Sequence, residues 1–253
     1  METSGSHPAQ AGGCQDTEML SLFPRYVLQG RLAADLLERL RDLAQTMVAT
    51  PDRYGDAAPK LAGQLALQLE IGPGEPAAAE LCEQVILPAC DRWLRHVMDR
   101  QPEGTRGPWR AGGYHLQMYD LWLNVQRQGD YNPTHTHGAS FSGVIYLQVP
   151  PQVHADSADG HLCLHGPEEY HLQSFRTGMA HYVMPEPGLF VVFPAWQPHS
   201  VLPFRGDGER WSLAFNVLAM PQPVMEAQPP GRSTGSATNV SLSSVRRRPG
   251  GFA

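Results

Sequence analysis

One short stretch of the chain, residues 131–147, constrains its fold and chemistry more than any other. It reads YNPTHTHGASFSGVIYL, so His135 and His137 stand one residue apart, just before a run rich in β-branched and aromatic residues. Such a run is typical of a β-strand. Because successive side chains of a strand point to opposite faces, the two imidazoles are expected on one face, where they could bind one metal ion.

The part of the chain from Gly113 to Leu218 is predicted to form short β-strands joined by turns. Apolar and polar residues alternate along 115–126 and 210–218, and apolar runs cover 141–149 and 189–193. Gly, Pro, Asn and Asp cluster between these segments, as turns require. Short strands at this spacing are typical of a sandwich, barrel or jelly roll.

The residues before Gly113 are predicted to be mainly helical. Residues 21–28 resemble a short strand that ends at Gly30. Apolar residues then recur at helical spacing from Ala33 to Met47, and again from about Pro76 to Asp99 despite Pro88. The apolar stripes of these two helices are expected to pack on the β region.

The two ends of the chain differ in composition from the rest. Residues 1–18 are small and polar, and residues 222–253 are rich in Pro, Gly, Ser and Thr, so both are predicted to be disordered. Residues 19–221 are predicted to form a single domain, with helical support over 31–100 and a β core over 113–218.

Charge and cysteine usage exclude several classes of function. The 253-residue chain has a formal net charge of −6, so a nucleic-acid partner is not expected. No apolar run approaches the ~20 residues of a membrane span, and no membrane association is predicted. The four cysteines are scattered, which predicts a reduced, cytoplasmic protein.

The last predicted strand carries a charged group on a face that should be enclosed. Trp211 and the apolar residues that alternate after it suit a helix layer, so Arg210, Ser212 and Asn216 should look into the barrel. A buried guanidinium needs an anionic partner, and its parallel N–H groups can donate to both oxygens of a carboxylate. The sequence fixes no acidic partner for it. A bound carboxylate ligand is one interpretation, and an exposed edge strand with Arg210 in water is the other.

A third histidine can be added to the pair. His199 stands 62 residues after His137 and 11 before Arg210, also at a predicted strand end. Neutral imidazole suits iron, zinc, copper or nickel. The chain has 11 histidines, and His161 and His165 form a looser pair. The best candidates for one metal site remain His135, His137 and His199.

These motifs together resemble those of the iron(II)- and 2-oxoglutarate-dependent oxygenase superfamily. The matching pieces are the His-x-His pair, the distal His199 and the Arg210-x-Ser212 pair. The wider run, from WLNV at 122–125 through GDYNP at 129–133 to RWSLAFN at 210–216, is similar to the branch of 2OG-Fe(II) oxygenases with an HxH motif. The resemblance covers about residues 113–218.

The resemblance implies a fold, a reaction and a set of site residues. The fold would be a double-stranded β-helix, or jelly roll, with the N-terminal helices packed on one sheet. His135, His137 and His199 would hold iron(II), and Arg210 would bind the distal carboxylate of 2-oxoglutarate, assisted by Ser212 and Tyr146. The protein would be a dioxygenase that converts 2-oxoglutarate to succinate while it hydroxylates a small-molecule or peptide substrate.

The chain departs from the usual superfamily pattern at His137, where a carboxylate normally stands. A three-histidine site is one negative charge short, and Asp130 is an outside candidate for the missing acid. Asn124 and Asn216 could line the cavity, and Trp196 and Gln197 could border its entrance. The loop 152–159 and the segment 168–177 are expected to shape the pocket wall.

Three rival interpretations follow from the same residues. One is a cupin-like three-histidine oxygenase that does not use 2-oxoglutarate. The second is a non-catalytic module that binds a metal or a small acid. The third is a partner-binding scaffold in which the histidines are merely structural.

Overall fold

The structure is a computed structural model that describes residues 25–61, 63–101, 113–166 and 180–222. The predicted disordered ends lie outside this part of the chain, apart from residue 222. The segment 168–177, which the sequence suggested as part of the pocket wall, also lies outside it. The proposed domain boundaries therefore stay predictions.

Two antiparallel sheets face each other. The strands of the six-stranded major sheet are, in spatial order, β1 (Leu28–Arg31), β8 (Leu189–Pro194), β5 (Phe141–Gln148), β10 (Arg210–Pro221), β3 (Tyr114–Gln126) and β2 (Leu67–Glu70). The strands of the minor sheet are β4 (Asn132–His135), β9 (His199–Val201), β6 (Leu162–His165) and β7 (Ala180–Val183). This architecture confirms the predicted mainly β fold with flanking helices, a double-stranded β-helix.

The helices come from the N-terminal part of the chain, as predicted. They are α1 (Ala34–Ala49), α2 (Pro76–Leu81) and α3 (Leu87–Arg100), and a π-helical turn, Cys82–Ile86, joins the last two. The second predicted helix is thus continuous but irregular. Pro88 lies just after the π-helical turn, where the regular α-helical hydrogen-bond pattern is already interrupted.

The two faces of β10 separate the main core from the interior of the barrel. Trp211, Leu213, Phe215 and Val217 are buried in the cluster that α1, α2 and α3 complete with Leu36, Leu40, Leu81 and other residues. This is the helix layer that the alternation along β10 predicted. The opposite face therefore looks towards the minor sheet, and a second small cluster that includes Leu162, Phe193 and Val201 closes one part of that interior.

The first strand lies further along the chain than the sequence indicated. It begins at Leu28 and runs through Gly30 to Arg31, so the prediction that Gly30 ends it was wrong. Gly30 pairs with Phe190, and a Cβ at this position would meet the Phe190 ring. Glycine is required here by the close approach of that ring.

In the part of the chain that the structure describes, no helix is long and apolar enough to cross a membrane.

The tightest approach in the major sheet is at Gly143 of β5, between β10 and β8. A Cβ there would overlap the Phe215 ring and the backbone carbonyl of Val191, and a carbonyl within a sheet cannot move aside. We expect Gly143→Ala to destabilise the fold by about 1–3 kcal/mol, the usual cost of overpacking. Chemical denaturation measures this. Gly72→Ala, at an exposed position with open space around its Cα, is the control and should change stability little.

Candidate metal and carboxylate site

Three histidines meet between the sheets. The ring nitrogens that His135, His137 and His199 offer all lie within 4.8 Å of one another. The ring centroids are 4.3 Å apart for His135 and His199, and 4.9 Å apart for His135 and His137. Within the described residues this is the one group of three or more His, Cys, Asp or Glu side chains close enough to hold a metal ion.

Strand pairing brings the first and last of these histidines together. β4 and β9 are antiparallel neighbours, and His135 lies directly opposite His199. His137 lies beyond the end of β4, and its backbone N–H donates to the carbonyl of Ala195 over 2.9 Å. The alternation of one strand is therefore not what places His135 and His137 together. A loop hydrogen bond holds the second ring near the first.

Backbone carbonyls fix the orientation of two of the rings. Nδ1 of His135 lies 2.7 Å from the Pro133 carbonyl, and Nδ1 of His199 lies 2.9 Å from the Gln197 carbonyl. A carbonyl can only accept, so each neutral ring donates from Nδ1 and keeps the lone pair of Nε2 free. This arrangement orients metal-binding imidazoles in known proteins.

The environment keeps two of the rings uncharged at neutral pH. Burial, with a smaller contribution from His135, lowers the pKa of His137 to about 4. Burial and the neighbouring His135 lower the pKa of His199 to about 3. A metal ion therefore does not have to displace protons from these two ligands near pH 7.

The other titratable groups considered from the sequence lie elsewhere. Asp130 accepts hydrogen bonds from the backbone N–H groups of Ala66 and Arg127, both at 2.8 Å, so it is not the missing carboxylate. His161 contacts the carbonyl of His154, and His165 contacts the Ser200 hydroxyl at 2.9 Å.

A cavity opens beside the histidines. The major sheet supplies its polar wall through β3, β5 and β10. Its lining includes Leu65, Trp122, Asn124, Asn132, His137, Ser142, Tyr146, His199, Arg210 and Ser212. The loop 152–159, which the sequence suggested as a wall, does not line it. Leu65 and Asn132 were not expected, because their positions depend on a bridge between Gln64 and Tyr131.

Arg210 is buried in this cavity and has no acidic partner among the described residues. Only 3% of the residue is exposed, and its Nη1 donates to the carbonyl of Gly160 at 2.5 Å. Its Nε has no hydrogen-bond partner, and Arg210 is in none of the ion pairs of the described residues. Burial lowers the pKa of Arg210, yet a guanidinium stays charged in proteins. The alternative that Arg210 lies in water was wrong.

Tyr146 presents a second unused donor to the same space. Its buried hydroxyl has no hydrogen-bond partner in the part of the chain that the structure describes, and its ring centroid lies 5.5 Å from the Arg210 guanidinium carbon. Burial raises the pKa of Tyr146 to about 12, although Arg210 opposes this effect, so the phenol keeps its proton. Ser212, two residues from Arg210, is also buried and lines the cavity. Together these groups suit an anionic ligand.

The remaining predicted residues surround this site in different ways. Asn124 lines the cavity, and its Oδ1 accepts from Gln68 and Trp122, both at 3.0 Å. Asn216 is buried and accepts from Ser142 at 2.7 Å. Trp196 and Gln197 lie in the turn before His199, outside the cavity lining.

The chain matches a known family over the part that carries these residues. Residues 120–216 match the family model described as "Putative 2OG-Fe(II) oxygenase". This match confirms the resemblance drawn from the motifs, including an oxidoreductase class with iron(II) and 2-oxoglutarate as its cofactors. No curated protein matches the chain.

Solved structures share the fold at low sequence identity. A prolyl-4-hydroxylase from Pseudomonas putida is 22% identical with a TM-score of 0.50, covering 76% of this chain and 92% of that one. HygX from Streptomyces hygroscopicus, solved with nickel, 2-oxoglutarate and hygromycin B, is 14% identical with a TM-score of 0.47, covering 76% and 81%. A prolyl hydroxylase from Trichoplax adhaerens, solved with a hypoxia inducible factor peptide, is 14% identical with a TM-score of 0.47, covering 78% and 83%. At 22% identity the likeness to the Pseudomonas putida enzyme shows the fold alone.

The lowered histidine pKa values predict how the stability of the metal-free protein depends on pH. Below about pH 6.5 the unfolded chain binds protons that folded His137 and His199 do not, so stability falls as the pH drops towards 4. Between pH 7 and pH 5 we expect the free energy of unfolding to fall by about 2 kcal/mol less in His199→Gln than in the wild type. Urea unfolding of chelator-treated protein measures it. His96→Gln, at an exposed site on α3, should keep the wild-type slope, and an unchanged slope in His199→Gln would contradict the prediction.

Proposed function

From the match of residues 120–216 to the family model of 2OG-Fe(II) oxygenases, we propose that the protein is a dioxygenase that hydroxylates a small-molecule or peptide substrate. In the overall reaction, one oxygen atom of O₂ enters the substrate as a hydroxyl group. The other enters 2-oxoglutarate, which leaves as succinate and carbon dioxide.

One observation carries this proposal. Three histidines that could hold one metal ion lie together, and two of them, His137 and His199, line the cavity that buried Arg210 also lines. Among the described residues Arg210 forms no ion pair with an acid. A bound metal would explain the three histidines, and a bound carboxylate would explain Arg210. The dicarboxylate 2-oxoglutarate can supply that carboxylate, and its keto acid end can chelate a metal. The residues present therefore fit both cofactors.

Each side chain then has a proposed role. His135, His137 and His199 hold iron(II), which supplies the activation of O₂ coupled to the oxidation of 2-oxoglutarate. Arg210 binds the distal carboxylate, and its unused Nε–H is one of the donors available for it. Tyr146 donates its phenolic proton to the same acid, and Ser212 assists. The two sheets exclude water around these groups, which strengthens each charged contact.

The absence of a carboxylate among the three ligands favours a second candidate. Three neutral ligands leave both charges of the metal uncompensated by the protein, in contrast to a site with one acidic ligand. A cupin-like three-histidine oxygenase, or a non-catalytic module that binds a metal or a small acid, would carry the same donor set. Such proteins would not need 2-oxoglutarate, so a titration with this acid separates them.

The cellular setting is also a proposal. The three cysteines in the described part of the chain, Cys82, Cys90 and Cys163, are all free thiols. This supports the predicted reduced, cytoplasmic location.

Loss of one ligand should abolish the reaction. We expect purified protein with iron(II) to convert 2-oxoglutarate to succinate slowly without substrate, and His199→Ala to lose both this turnover and stoichiometric iron. Succinate assay and metal analysis on the same sample measure both. His96→Ala, on the exposed face of α3, is the matched control and should behave like the wild type. Normal turnover in His199→Ala would reject the site.

Loss of the guanidinium should weaken 2-oxoglutarate binding without removing iron. Arg210→Met keeps much of the buried volume, and we expect it to raise the KM for 2-oxoglutarate about 10- to 100-fold, because charge-assisted contacts contribute about 1.5–3 kcal/mol. Arg127→Met, on the exposed pair with Glu209, is the control. Iron-dependent oxygen consumption that ignores both 2-oxoglutarate and this change would instead support the cupin-like candidate.

A further inference from the structure

The turn between β8 and β9 connects the two ends of the histidine cluster. Its residues 195–198 precede His199, and the carbonyl of Ala195 accepts the N–H of His137. Within the turn, Ala195 and Gln197 are buried while Trp196 is 57% exposed. The indole therefore does not contribute to the core, and it presents an apolar surface at this turn.

An arginine from the start of the described chain lies over this indole. The guanidinium carbon of Arg25 is 5.4 Å from the centroid of the Trp196 ring, within cation–π range. The pairing of Leu28 with Val192 on β1 and β8 places Arg25 alongside the turn, beyond the end of both strands. The pair thus lies at the end of the barrel where the histidines are.

Two hydrogen bonds hold Arg25 in place while part of its guanidinium stays available. Its Nη1 donates to the carbonyl of His165 at 3.1 Å and to Oε1 of Gln197 at 3.0 Å. Gln197 is itself anchored, since its Nε2 donates to the carbonyls of His165 and Pro198. In the described residues Arg25 forms no ion pair with an acid. Its positive charge is fixed in position and uncompensated.

We propose that Arg25 and Trp196 form a rim platform that binds an acidic peptide segment of the substrate, a role that rests on the proposed function. The flat, open indole offers apolar contact area, and Arg25 offers charged donors for a carboxylate beside it. Tryptophan and arginine are the residues most enriched at binding hot spots, and preorganisation lowers the entropic cost of binding. Neither residue lines the cavity, so a substrate that reaches both places must be extended, as a peptide is.

The test uses the full-length, iron(II)-loaded protein with 2-oxoglutarate and two pools of labelled synthetic peptides of equal length. One pool is rich in Asp and Glu, and in the other Asn and Gln replace them. Fluorescence anisotropy measures binding, and succinate formation measures turnover. We expect the acidic pool to bind and to stimulate succinate formation, and the amide pool to do neither.

Substitutions in the platform test whether peptide binding depends on Arg25 and Trp196 and not on other surface residues. Arg25→Gln and Trp196→Ala should each weaken binding of the acidic pool about tenfold or more, whereas Trp196→Phe should retain most of it. Arg31→Gln, on β1 at an exposed pair with Glu186, is the matched control and should bind like the wild type.

Several results would overturn the platform. These are equal binding of both pools, unchanged binding in Arg25→Gln and Trp196→Ala, or loss of bound iron in these variants, which would mean that they act through His199. The two readouts also separate the hypotheses. Selective binding of the acidic pool with no succinate would support the platform and reject the oxygenase, and succinate formation without selectivity would reject the platform alone.

Discussion

The antiparallel pairing of β4 with β9 is the contact on which the site depends. It sets His135 opposite His199 although 63 residues lie between them in the sequence. The turn that leads into β9 adds His137 through its Ala195 carbonyl, and orients His199 through its Gln197 carbonyl. Three imidazoles are thus positioned mainly by backbone hydrogen bonds, which side-chain substitutions nearby disturb least.

Burial of Arg210 without an acidic neighbour is the second constraint. A charge in such a place is costly, and in the described part of the chain its compensation consists of the Gly160 carbonyl and the Tyr146 ring. Tyr146 carries a second unmet hydrogen-bond group in the same cavity. Polar groups left unsatisfied in a core are rare, and together with the family match they indicate a ligand with complementary charge.

Much of this site could be predicted from the sequence because it depends on local patterns. Alternation along β10 predicted Trp211 in the helix layer and left Arg210 either inside the barrel or in water, and the structure shows the buried alternative. The position of His137 could not be derived in the same way, since it depends on a loop hydrogen bond to a residue far along the chain. The place of Leu65 in the cavity wall and the contact of Arg25 with the turn 195–198 also depend on contacts between residues that are far apart in the sequence. Such tertiary contacts leave no periodic signal.

The two halves of the site come from different sheets. The histidines belong to the minor sheet and its loop, whereas Arg210, Tyr146 and Ser212 project from the major sheet. A molecule that binds both groups would link the two sheets and oppose their separation. Occupancy would then stabilise the native state by mass action, and cofactor supply would influence how long the folded protein survives.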